Sequence, residues 1–350
     1  FSKYDFENIY ILTGYKSKII FKKFHNKKYN FTNITCIKEK KPMGTGGALY
    51  KLKHRKKNDF VLINGDTIFD IDLKSLINST KKSSIASVAL IRNDINKKNI
   101  KLNNLNIKNG VIIKKERSGF MNGGIYFFRK EIFKNIKNKN LSLEEDIFPR
   151  LIDSKSISGK LFKKFFIDIG TPADYYKAKN KLLHHFKKPA AFLDRDGVIN
   201  EDLGYVHNIK NFIFRKGVLK GLKFLLKKNF YIFIITNQAG IAKNIFKEKD
   251  FFNLHKELKK KLSLKNIYFD EVQYCPYHPK GKIKKYRKKS SLRKPGNKMI
   301  TNLFSNWLIN KKSSFMIGDK LPDKQCALKS KIKFQYASKD FFKQVRKIVN

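Results

Sequence analysis

Cysteine is scarce in this chain, which has three cysteines among 350 residues. Cys36, Cys275 and Cys326 are an odd number and lie far apart in the sequence, so a disulfide framework is not expected. No run approaches the roughly 18 consecutive apolar residues of a membrane span, and the N-terminal segment lacks the basic, apolar and small-residue order of a signal peptide. These absences favour a soluble cytoplasmic protein without a membrane partner.

Acidic residues are also few, because 28 Asp and Glu stand against 78 Lys and Arg, for a formal charge of +50. A field of this sign would suit a polyanion such as nucleic acid. However, only 10 of the 78 are arginine, the lysines are spread along the chain, and no nucleic-acid-binding motif accompanies them. We therefore expect no nucleic-acid partner and interpret the charge as attraction for small phosphorylated substrates.

The pattern of elements predicts an α/β protein with two domains. The chain is longer than the roughly 250 to 300 residues at which a single core stops growing. Strand-like runs rich in Ile, Val and Phe alternate with helix-length Lys-rich segments, which is the pattern of parallel sheets. The predicted strands are residues 9–12, 34–38, 60–63, 86–91, 124–128, 190–194, 231–236, 271–274, 314–317 and 333–336. We place the boundary at 185–189, between domains 1–185 and 189–350, where a helical stretch gives way to a buried strand.

Two carboxylates follow a buried strand in the second half. Asp194 and Asp196 lie in the sequence FLDRDGVIN, directly after an apolar run. Side chains at the carboxyl end of a parallel strand reach the crevice where α/β folds bind ligands. One carboxylate can attack phosphorus while the other gives and takes protons. The alternative is an Asp-rich turn that bends at Gly197.

Three further elements favour the phosphatase interpretation over the simple turn. The first is a hydroxyl with two amides at a strand tip, from Thr236, Asn237 and Gln238. The second is a cationic pair in a loop, Arg293 and Lys294. The third is a carboxylate after a later strand, Asp319, with Asp323 four residues further on. The hydroxyl and amides can hydrogen-bond a phosphoryl group, and the cations can neutralise its oxygens. The late carboxylate is a ligand of the kind that Mg²⁺ prefers.

On these residues the second half resembles the haloacid dehalogenase superfamily of phosphatases, and more narrowly the D-glycero-D-manno-heptose 1,7-bisphosphate phosphatases. The matching motifs are DRDGVIN at 194–200, GYVH at 204–207, TNQAGIA at 236–242, CPYHP at 275–279, RKP at 293–295 and GDK at 318–320. The resemblance implies a Rossmannoid parallel sheet in a three-layer α/β/α domain.

The resemblance also implies a role for each residue. Asp194 would be the nucleophile and Asp196 the general acid and base, while Thr236 and Lys294 would stabilise the phosphoryl group. The implied Mg²⁺ ligands are Asp194, Asp319 and the backbone carbonyl of Asp196, and the implied substrate contacts are Asn237, Gln238, Arg293, Lys320 and His207. Asp194 would take the phosphoryl group, and water activated by Asp196 would then hydrolyse the aspartyl phosphate.

The chain departs from this resemblance where many relatives hold a structural zinc. Those relatives have a Cys-x-His pair and then a Cys-x-Cys pair before Arg-Lys-Pro. This chain has Cys275 and His278, but Ser290 and Leu292 stand where the later cysteines would be. Because two ligands cannot close a tetrahedral zinc site, we expect no zinc and interpret Cys275 and His278 as ordinary loop residues.

The first half carries a glycine-rich turn and two carboxylates that follow strand-like runs. In KPMGTGGAL, at 41–49, bare backbone amides are predicted to lie against a nucleotide. Asp66 ends VLINGD and Asp168 ends FFID about a hundred residues later. Two such carboxylates are the minimum for holding a divalent metal against a nucleoside triphosphate. The sequence NGG at 122–124 offers an amide and a close-approach backbone suited to sugar hydroxyls.

Together these motifs resemble the sugar-1-phosphate nucleotidyltransferases, most of all the D-glycero-D-manno-heptose 1-phosphate guanylyltransferases, over residues 8–182. The resemblance implies a GT-A-like mixed sheet in a second three-layer α/β/α domain, with GTP as the nucleotide. It implies Mg²⁺ ligands at Asp66 and Asp168, nucleotide contacts at Gly46 and Gly47, and sugar contacts at Asn122, Gly123 and Glu144. The first strand, Gly-rich loop and Lys of that family do not precede Phe1, so we expect a truncated domain that does not transfer nucleotides and is destabilised by an exposed sheet edge.

The two resemblances imply consecutive steps, in which a heptose bisphosphate loses its 7-phosphate and the heptose 1-phosphate is then activated as a nucleotide sugar. We therefore expect a bifunctional enzyme of nucleotide-heptose synthesis for surface glycans such as lipopolysaccharide. Histidinol phosphate or another sugar phosphate is the alternative phosphatase substrate. A basic binding protein on an inactive α/β scaffold is the alternative that is not an enzyme.

Overall fold

The computed structural model describes Tyr4 and residues 6–29, 32–39, 41–53, 58–92, 105–114, 119–136 and 140–350. Backbone contacts divide the chain into two compact units. The C-terminal unit comprises Leu183–Asn350 with Phe24–Thr35 and the residues up to Ile11, and the N-terminal unit comprises Leu12–Lys23 and Cys36–Leu182. No helix in these described ranges is long and apolar enough to cross a membrane. The domain boundary at 185–189 stays a prediction.

The first elements along the chain form a small three-stranded sheet. Its strands are β1 (Asn8–Thr13), β2 (Lys27–Tyr29) and β3 (Thr32–Lys38), in the order β1-β3-β2, and helix α1 (Ser17–Phe24) lies between β1 and β2 in sequence. Strands β2 and β3 pair antiparallel.

The N-terminal unit is built on a mixed sheet of six strands in the order β4-β9-β6-β10-β8-β7. Its strands are β4 (Phe60–Ile63), β6 (Ala86–Arg92), β7 (Leu105–Lys108), β8 (Val111–Lys114), β9 (Phe120–Phe128) and β10 (Ile157–Leu161). Strands β5 (Thr67–Phe69) and β11 (Phe166–Asp168) form a separate antiparallel pair. The helices are α2 (Gly44–Tyr50), α3 (Leu73–Asn78), α4 (Phe148–Asp153) and α5 (Pro172–Phe186).

The alternation of strands and helices predicts parallel pairing in this half, and the structure corrects that expectation. Strand β6 does pair parallel with β10, but β9 pairs antiparallel with both β4 and β6. The mixed sheet implied by the nucleotidyltransferase resemblance is therefore the observed one. Tyr126, Phe128 and Leu90 are fully buried in its core.

The C-terminal unit contains a five-stranded, fully parallel sheet in the order β14-β13-β12-β15-β16. The strands are β12 (Ala190–Leu193), β13 (Tyr231–Asn237), β14 (Glu271–Cys275), β15 (Phe315–Gly318) and β16 (Lys333–Tyr336). The helices are α6 (Val218–Lys227), α7 (Ala239–Ala242), α8 (Glu248–Ser263), α9 (Lys298–Asn306), α10 (Leu321–Lys329) and α11 (Phe341–Val349).

Strand periodicity gives this sheet two apolar faces, because successive side chains point to opposite sides. Ala191 and Leu193 of β12 join a core with residues of α6, α8 and α11. Ala190 and Phe192 join a second core with residues of α9 and α10. The unit therefore has the three-layer α/β/α architecture expected from the sequence. Since β12 is central, its carboxyl end opens where the strand order reverses, which is the ligand crevice of such sheets.

All ten predicted strands overlap observed strands, with the largest difference at β9, which begins at Phe120 rather than 124. Five short strands, β2, β5, β7, β8 and β10, were not predicted, and β11 was expected only as the strand-like run that ends at Asp168. All six are three to five residues long. Strands β5 and β10 pair with partners distant in sequence, which local pattern does not identify. Strands β2 and β3, and β7 and β8, instead form local hairpins, and the second of these turns at Asn109 and Gly110, a hairpin signal that the prediction missed.

Candidate active sites

Asp194 and Asp196 lie in the turn that follows β12. The amide of Asp194 donates to the carbonyl of Ile317 in β15, which ties the start of the turn to the neighbouring strand. Gly197 follows with a φ of +82°, and a Cβ atom there would meet the carboxylate of Asp319. Both the positive φ and the lack of space require glycine at this position.

Lys294 is the cation of this site and is 3% exposed. Its Nζ lies 2.8 Å from Asp194 Oδ2 and 2.6 Å from Asp323 Oδ1, and it donates to the carbonyl of Ile235 at 2.9 Å. Asn237 holds the backbone on either side of this side chain, because its amide oxygen accepts from the Lys294 amide and its nitrogen donates to the Lys294 carbonyl. Residues about one hundred positions apart thus form one buried Asp-Lys-Asp cluster.

Burial and charge oppose each other at these carboxylates. Burial raises the pKa of Asp194 to about 7, although the Lys294 ammonium lowers it. Burial also raises the pKa of Asp319. Carboxylates held in this way favour a bound cation, because a second positive charge stabilises their ionised forms.

Three carboxylates form the metal-ligand group found in the described residues. One oxygen from each of Asp194, Asp319 and Asp323 lies within 4.8 Å of the others. Asp323 is engaged already, since its carboxylate pairs with Lys294 and accepts from the Lys320 amide. Asp319 Oδ1 is buried and has no hydrogen-bond partner among the described residues. An all-oxygen group with one unsatisfied oxygen fits a hard divalent cation such as Mg²⁺.

The Asp196 carboxylate is held by three donors. The Arg195 guanidinium donates to both carboxylate oxygens, and its Nη2 lies 2.9 Å from Oδ2. Asn200 Nδ2 donates to Oδ1 at 3.0 Å, and Gln238 Nε2 donates to Oδ2 at 3.1 Å. Arg195 is 1% exposed and also donates to the carbonyl of Val206. Neither Arg195 nor Asn200 was predicted as a site residue, although both lie in the DRDGVIN motif at 194–200.

Thr236 and Gln238, at the end of β13, lie beside the clamp on Asp196, which is the set of donors from Arg195, Asn200 and Gln238. Both side chains are buried, and Gln238 Nε2 donates to Thr236 Oγ1 at 2.8 Å as well as to Asp196. The amide nitrogen of Gln238 therefore already has two acceptors within the site. This arrangement makes Gln238 a support for Thr236 and Asp196, while its predicted contact with substrate stays a prediction.

Of the remaining predicted substrate residues, Lys320 has a contact with a carboxylate of the site. Lys320 Nζ lies 2.7 Å from Asp202 and 3.6 Å from Asp319. The His207 ring stacks on Phe246, with centroids 4.9 Å apart. Arg293 Nη1 is buried and has no hydrogen-bond partner in the described part of the chain, and its contact with substrate stays a prediction.

The residues that the sequence suggests for half a zinc site are otherwise engaged. Cys275 ends β14 and is fully buried in the apolar core, where its thiol donates weakly to the Tyr277 carbonyl. The Nδ1 atom of His278 accepts from the Lys280 amide. This donor set does not fit zinc. One detail of the prediction is corrected, because Cys275 is a strand residue rather than a loop residue.

In the N-terminal unit, the two predicted metal ligands meet beside Gly170. A Cβ atom at Gly170 would lie 3.1 Å from Asp168 Oδ1 and 3.3 Å from Asp66 Oδ2. Register explains the approach, because Asp168 pairs with Thr67 and the Ile169 amide donates to the Asp66 carbonyl. Both side chains are exposed. Two carboxylates facing a glycine fit a divalent cation at this edge.

The predicted sugar contacts are joined by a buried tyrosine. Asn122 Nδ2 donates to the Tyr126 hydroxyl at 2.7 Å, and that hydroxyl donates to Glu144 Oε1 at 3.1 Å. Glu144 Oε2 accepts from the Thr45 hydroxyl at 2.8 Å. Burial raises the pKa of Tyr126 far above its usual range, so it stays a neutral hydroxyl. Gly123 packs closely on the Phe69 ring.

The glycine-rich turn differs from the prediction in one respect. The amides of Gly46 and Gly47 are not bare, because both donate to the carbonyl of Leu141, at 2.8 and 3.0 Å. Both residues are buried inside α2. Their predicted nucleotide contacts stay a prediction, but these amides would have to exchange Leu141 for the nucleotide.

Comparison with known proteins agrees with the fold and with the clustered carboxylates in defining a phosphatase of the haloacid dehalogenase class. Residues 164–346 match the family model Polynucleotide kinase 3 phosphatase, which is more than half of the chain. The chain belongs to this phosphatase family and is a phosphoric monoester hydrolase. Residues 104–185 match the family model Nucleotidyl transferase. The chain therefore joins a nucleotidyltransferase segment to a phosphatase domain.

Curated relatives match the phosphatase part. The chain is 42% identical over 144 residues to D-glycero-beta-D-manno-heptose-1,7-bisphosphate 7-phosphatase of Photorhabdus laumondii. The aligned region is 41% of this chain and 77% of that protein. It is 40% identical over 144 residues to the protein of the same name from Escherichia coli K12, covering 41% and 75%.

Two solved structures are each similar to about half of the chain. HddC from Yersinia pseudotuberculosis is 28% identical with a TM-score of 0.42, covering 50% of this chain and 79% of that one. D,D-heptose 1,7-bisphosphate phosphatase from B. bronchiseptica, complexed with magnesium and phosphate, is 20% identical with a TM-score of 0.42, covering 46% and 98%.

Proposed function

We propose that the C-terminal unit hydrolyses the 7-phosphate of D-glycero-D-manno-heptose 1,7-bisphosphate through a phosphoaspartate intermediate. The buried cluster of Asp194, Lys294 and Asp323, with the unsatisfied oxygen of Asp319 beside it, is the observation that carries this proposal. The names of the curated relatives support the choice of substrate.

In the first step an oxygen of Asp194 attacks phosphorus and the bond from phosphorus to the C7 oxygen breaks. Asp196 gives a proton to that departing oxygen and becomes a carboxylate. Lys294 lies 2.8 Å from Asp194, so its ammonium is in place to offset the charge of the phosphoryl group. Thr236 and the free donor of Arg293 supply further hydrogen bonds to phosphoryl oxygens.

In the second step Asp196 takes a proton from water, whose oxygen forms a new bond to phosphorus as the Asp194–phosphorus bond breaks. Inorganic phosphate leaves and both carboxyl groups return to their first state. The three donors on Asp196 hold its carboxylate for this task. Asp194, Asp319 and the Asp196 carbonyl would hold Mg²⁺, which supplies Lewis-acid stabilisation of phosphoryl charge when bound.

For the N-terminal unit we propose a heptose 1-phosphate nucleotidyltransferase domain, whose intact form would take GTP as donor. That the 350-residue chain does not itself transfer nucleotides stays a prediction. Asp66 and Asp168 would hold the divalent cation, and their meeting beside Gly170 supports this assignment. The linked side chains of Asn122 and Glu144 would contact the sugar hydroxyls. No protein nucleophile is needed, because the sugar phosphate attacks the α-phosphorus in line as pyrophosphate leaves.

Phosphate release by the full chain tests the phosphatase proposal. The substrates are the α and β anomers of the heptose bisphosphate and histidinol phosphate, each with Mg²⁺ and with chelator. We expect Mg²⁺-dependent release from a heptose bisphosphate. Preference for the α anomer would support a GTP-dependent partner activity, whereas preference for the β anomer, which the relatives' names carry, would argue for ATP. Release only from histidinol phosphate, or from none, would refute the heptose assignment.

A further inference from the structure

The loop at 276–297 connects β14 to α9 and carries Arg293 and Lys294. Residues 280–289 within it include seven Lys and Arg side chains, which repel one another. This repulsion opposes a compact arrangement of the segment. Asn237 and the ion pairs of Lys294 hold only the end of the loop at Lys294, so the basic segment before it needs a contact of its own.

Glu248, the first residue of α8, contacts this loop directly. Its Oε2 accepts from the Tyr286 hydroxyl at 2.9 Å, and its Oε1 accepts from the Tyr274 hydroxyl at 2.7 Å. Tyr274 belongs to β14, before the loop, and Tyr286 lies in the middle of the loop. One carboxylate therefore ties the loop to a strand and to the start of a helix. Hydrogen bonds to a charged acceptor are about twice as strong as neutral ones.

Packing and backbone contacts reinforce this tie. The rings of Tyr274 and Tyr286 lie against a small apolar cluster of Ile241, Phe246 and Phe251. The Ile283 amide donates to the Ala242 carbonyl at 3.0 Å, which joins the loop to α7. The His278 amide donates to the Tyr286 carbonyl at 3.2 Å, and the Lys288 ammonium lies 4.2 Å from the centre of the Tyr277 ring.

We propose that Glu248 is a positioning residue, which acts through Tyr286 to hold the 276–297 loop so that Lys294 stays at Asp194, and that this loop needs no metal ion for its structure. The donor set of Cys275 and His278 does not fit zinc, as their contacts show. The consequence of this tie for catalysis rests on the proposed phosphatase function, whereas its effect on the loop does not.

Limited trypsin digestion of the full chain tests the tie, because the loop offers many cleavage sites. Tyr286→Phe removes the hydroxyl and keeps the packed ring, and Glu248→Gln is a second variant. Tyr336→Phe, in exposed β16, is the matched control. Mass spectrometry assigns the cut bonds, and the thermal midpoint of each variant separates local opening from global unfolding.

We expect cleavage within 280–289 to become about tenfold faster in Tyr286→Phe, from the loss of a hydrogen bond to a charged group. The thermal midpoint should hardly change, and kcat/KM for the phosphorylated substrate should fall by about the same factor. Tyr336→Phe should match the wild type. EDTA or phenanthroline should leave the wild-type cleavage of this loop unchanged.

Unchanged loop cleavage in both variants would overturn the proposal. So would a wild-type loop that opens when chelator removes a stoichiometric bound zinc. If the chain releases no phosphate from any substrate but Tyr286→Phe still opens the loop, the proposed function fails and the tie stands. If phosphate is released and the loop does not respond, the tie fails and the proposed function stands.

Discussion

The two units place their carboxylates in opposite environments. Asp194 and Lys294 of the C-terminal unit are 8% and 3% exposed and neutralise each other within the protein. Asp66 and Asp168 of the N-terminal unit are exposed and face each other across Gly170 without a cation between them in the described residues. The buried carboxylates are held by a cation of the protein itself, whereas the exposed pair is brought together by strand register and by the Gly170 amide, which donates to Asp168. Substitutions in the buried cluster of the C-terminal unit should therefore strongly reduce activity or stability, and substitutions in the N-terminal unit should have small effects.

The largest effect should come from the nucleophile. Asp194→Asn keeps the size of the side chain but removes the attacking carboxylate, so kcat for phosphate release should fall by at least about 10⁴-fold. Single-turnover assays with Mg²⁺ measure it, and Asp153→Asn, an exposed change, should be indistinguishable from wild type. Full activity in Asp194→Asn would rule out the phosphoaspartate route.

The next effect should be on stability and tests the buried charge pairing. Lys294→Met leaves Asp194 and Asp323 buried without their cation, which should lower the free energy of unfolding by about 3–5 kcal/mol. Urea denaturation measures it, with Lys298→Met, which is exposed in α9, as the matched control. A variant as stable as the control would mean that the cluster is not organised by mutual charge.

A smaller effect should follow at the clamp on Asp196. Arg195→Lys keeps a positive charge but loses the two-oxygen contact, because an ammonium cannot form the planar fork. We expect kcat to fall by about 10²-fold with little change in KM, since a displaced acid and base weakens proton transfer. Arg346→Lys, on the exposed side of α11, is the control. An unchanged kcat would show that Asn200 and Gln238 suffice.

The smallest effect should come from the N-terminal unit. Tyr126→Phe removes the hydroxyl between Asn122 and Glu144, and urea denaturation should show a loss of about 1 kcal/mol. Tyr175→Phe, which is exposed in α5, should cost nothing measurable. A loss as large as that in Lys294→Met would contradict the contrast between the two units.

Much of the C-terminal unit was predictable because its signals are local. Strands β12, β13 and β15 are built on short apolar runs, and Asp194, Thr236 and Asp319 stand at the carboxyl ends of those runs, so their meeting at one edge follows from parallel pairing. The N-terminal unit was less predictable, since its strands are short and β10 and β11 pair with segments distant in sequence, although the local β7–β8 hairpin at Asn109 and Gly110 could have been predicted. Tyr126 reads as an ordinary core residue, and only its contacts reveal the link between Asn122 and Glu144.

The sequence by itself determined the α/β class, the strand tips and the order of the phosphatase motifs, because these depend on residue type and local periodicity. Only the tertiary structure decided which charged groups pair. Lys294 lies between Asp194 and Asp323. Arg195 forms an ion pair with Asp196, and Glu248 accepts hydrogen bonds from two tyrosine hydroxyls. The physical reason is that the strength of a charge or hydrogen bond depends on burial and distance, and both are set by residues far apart in the chain.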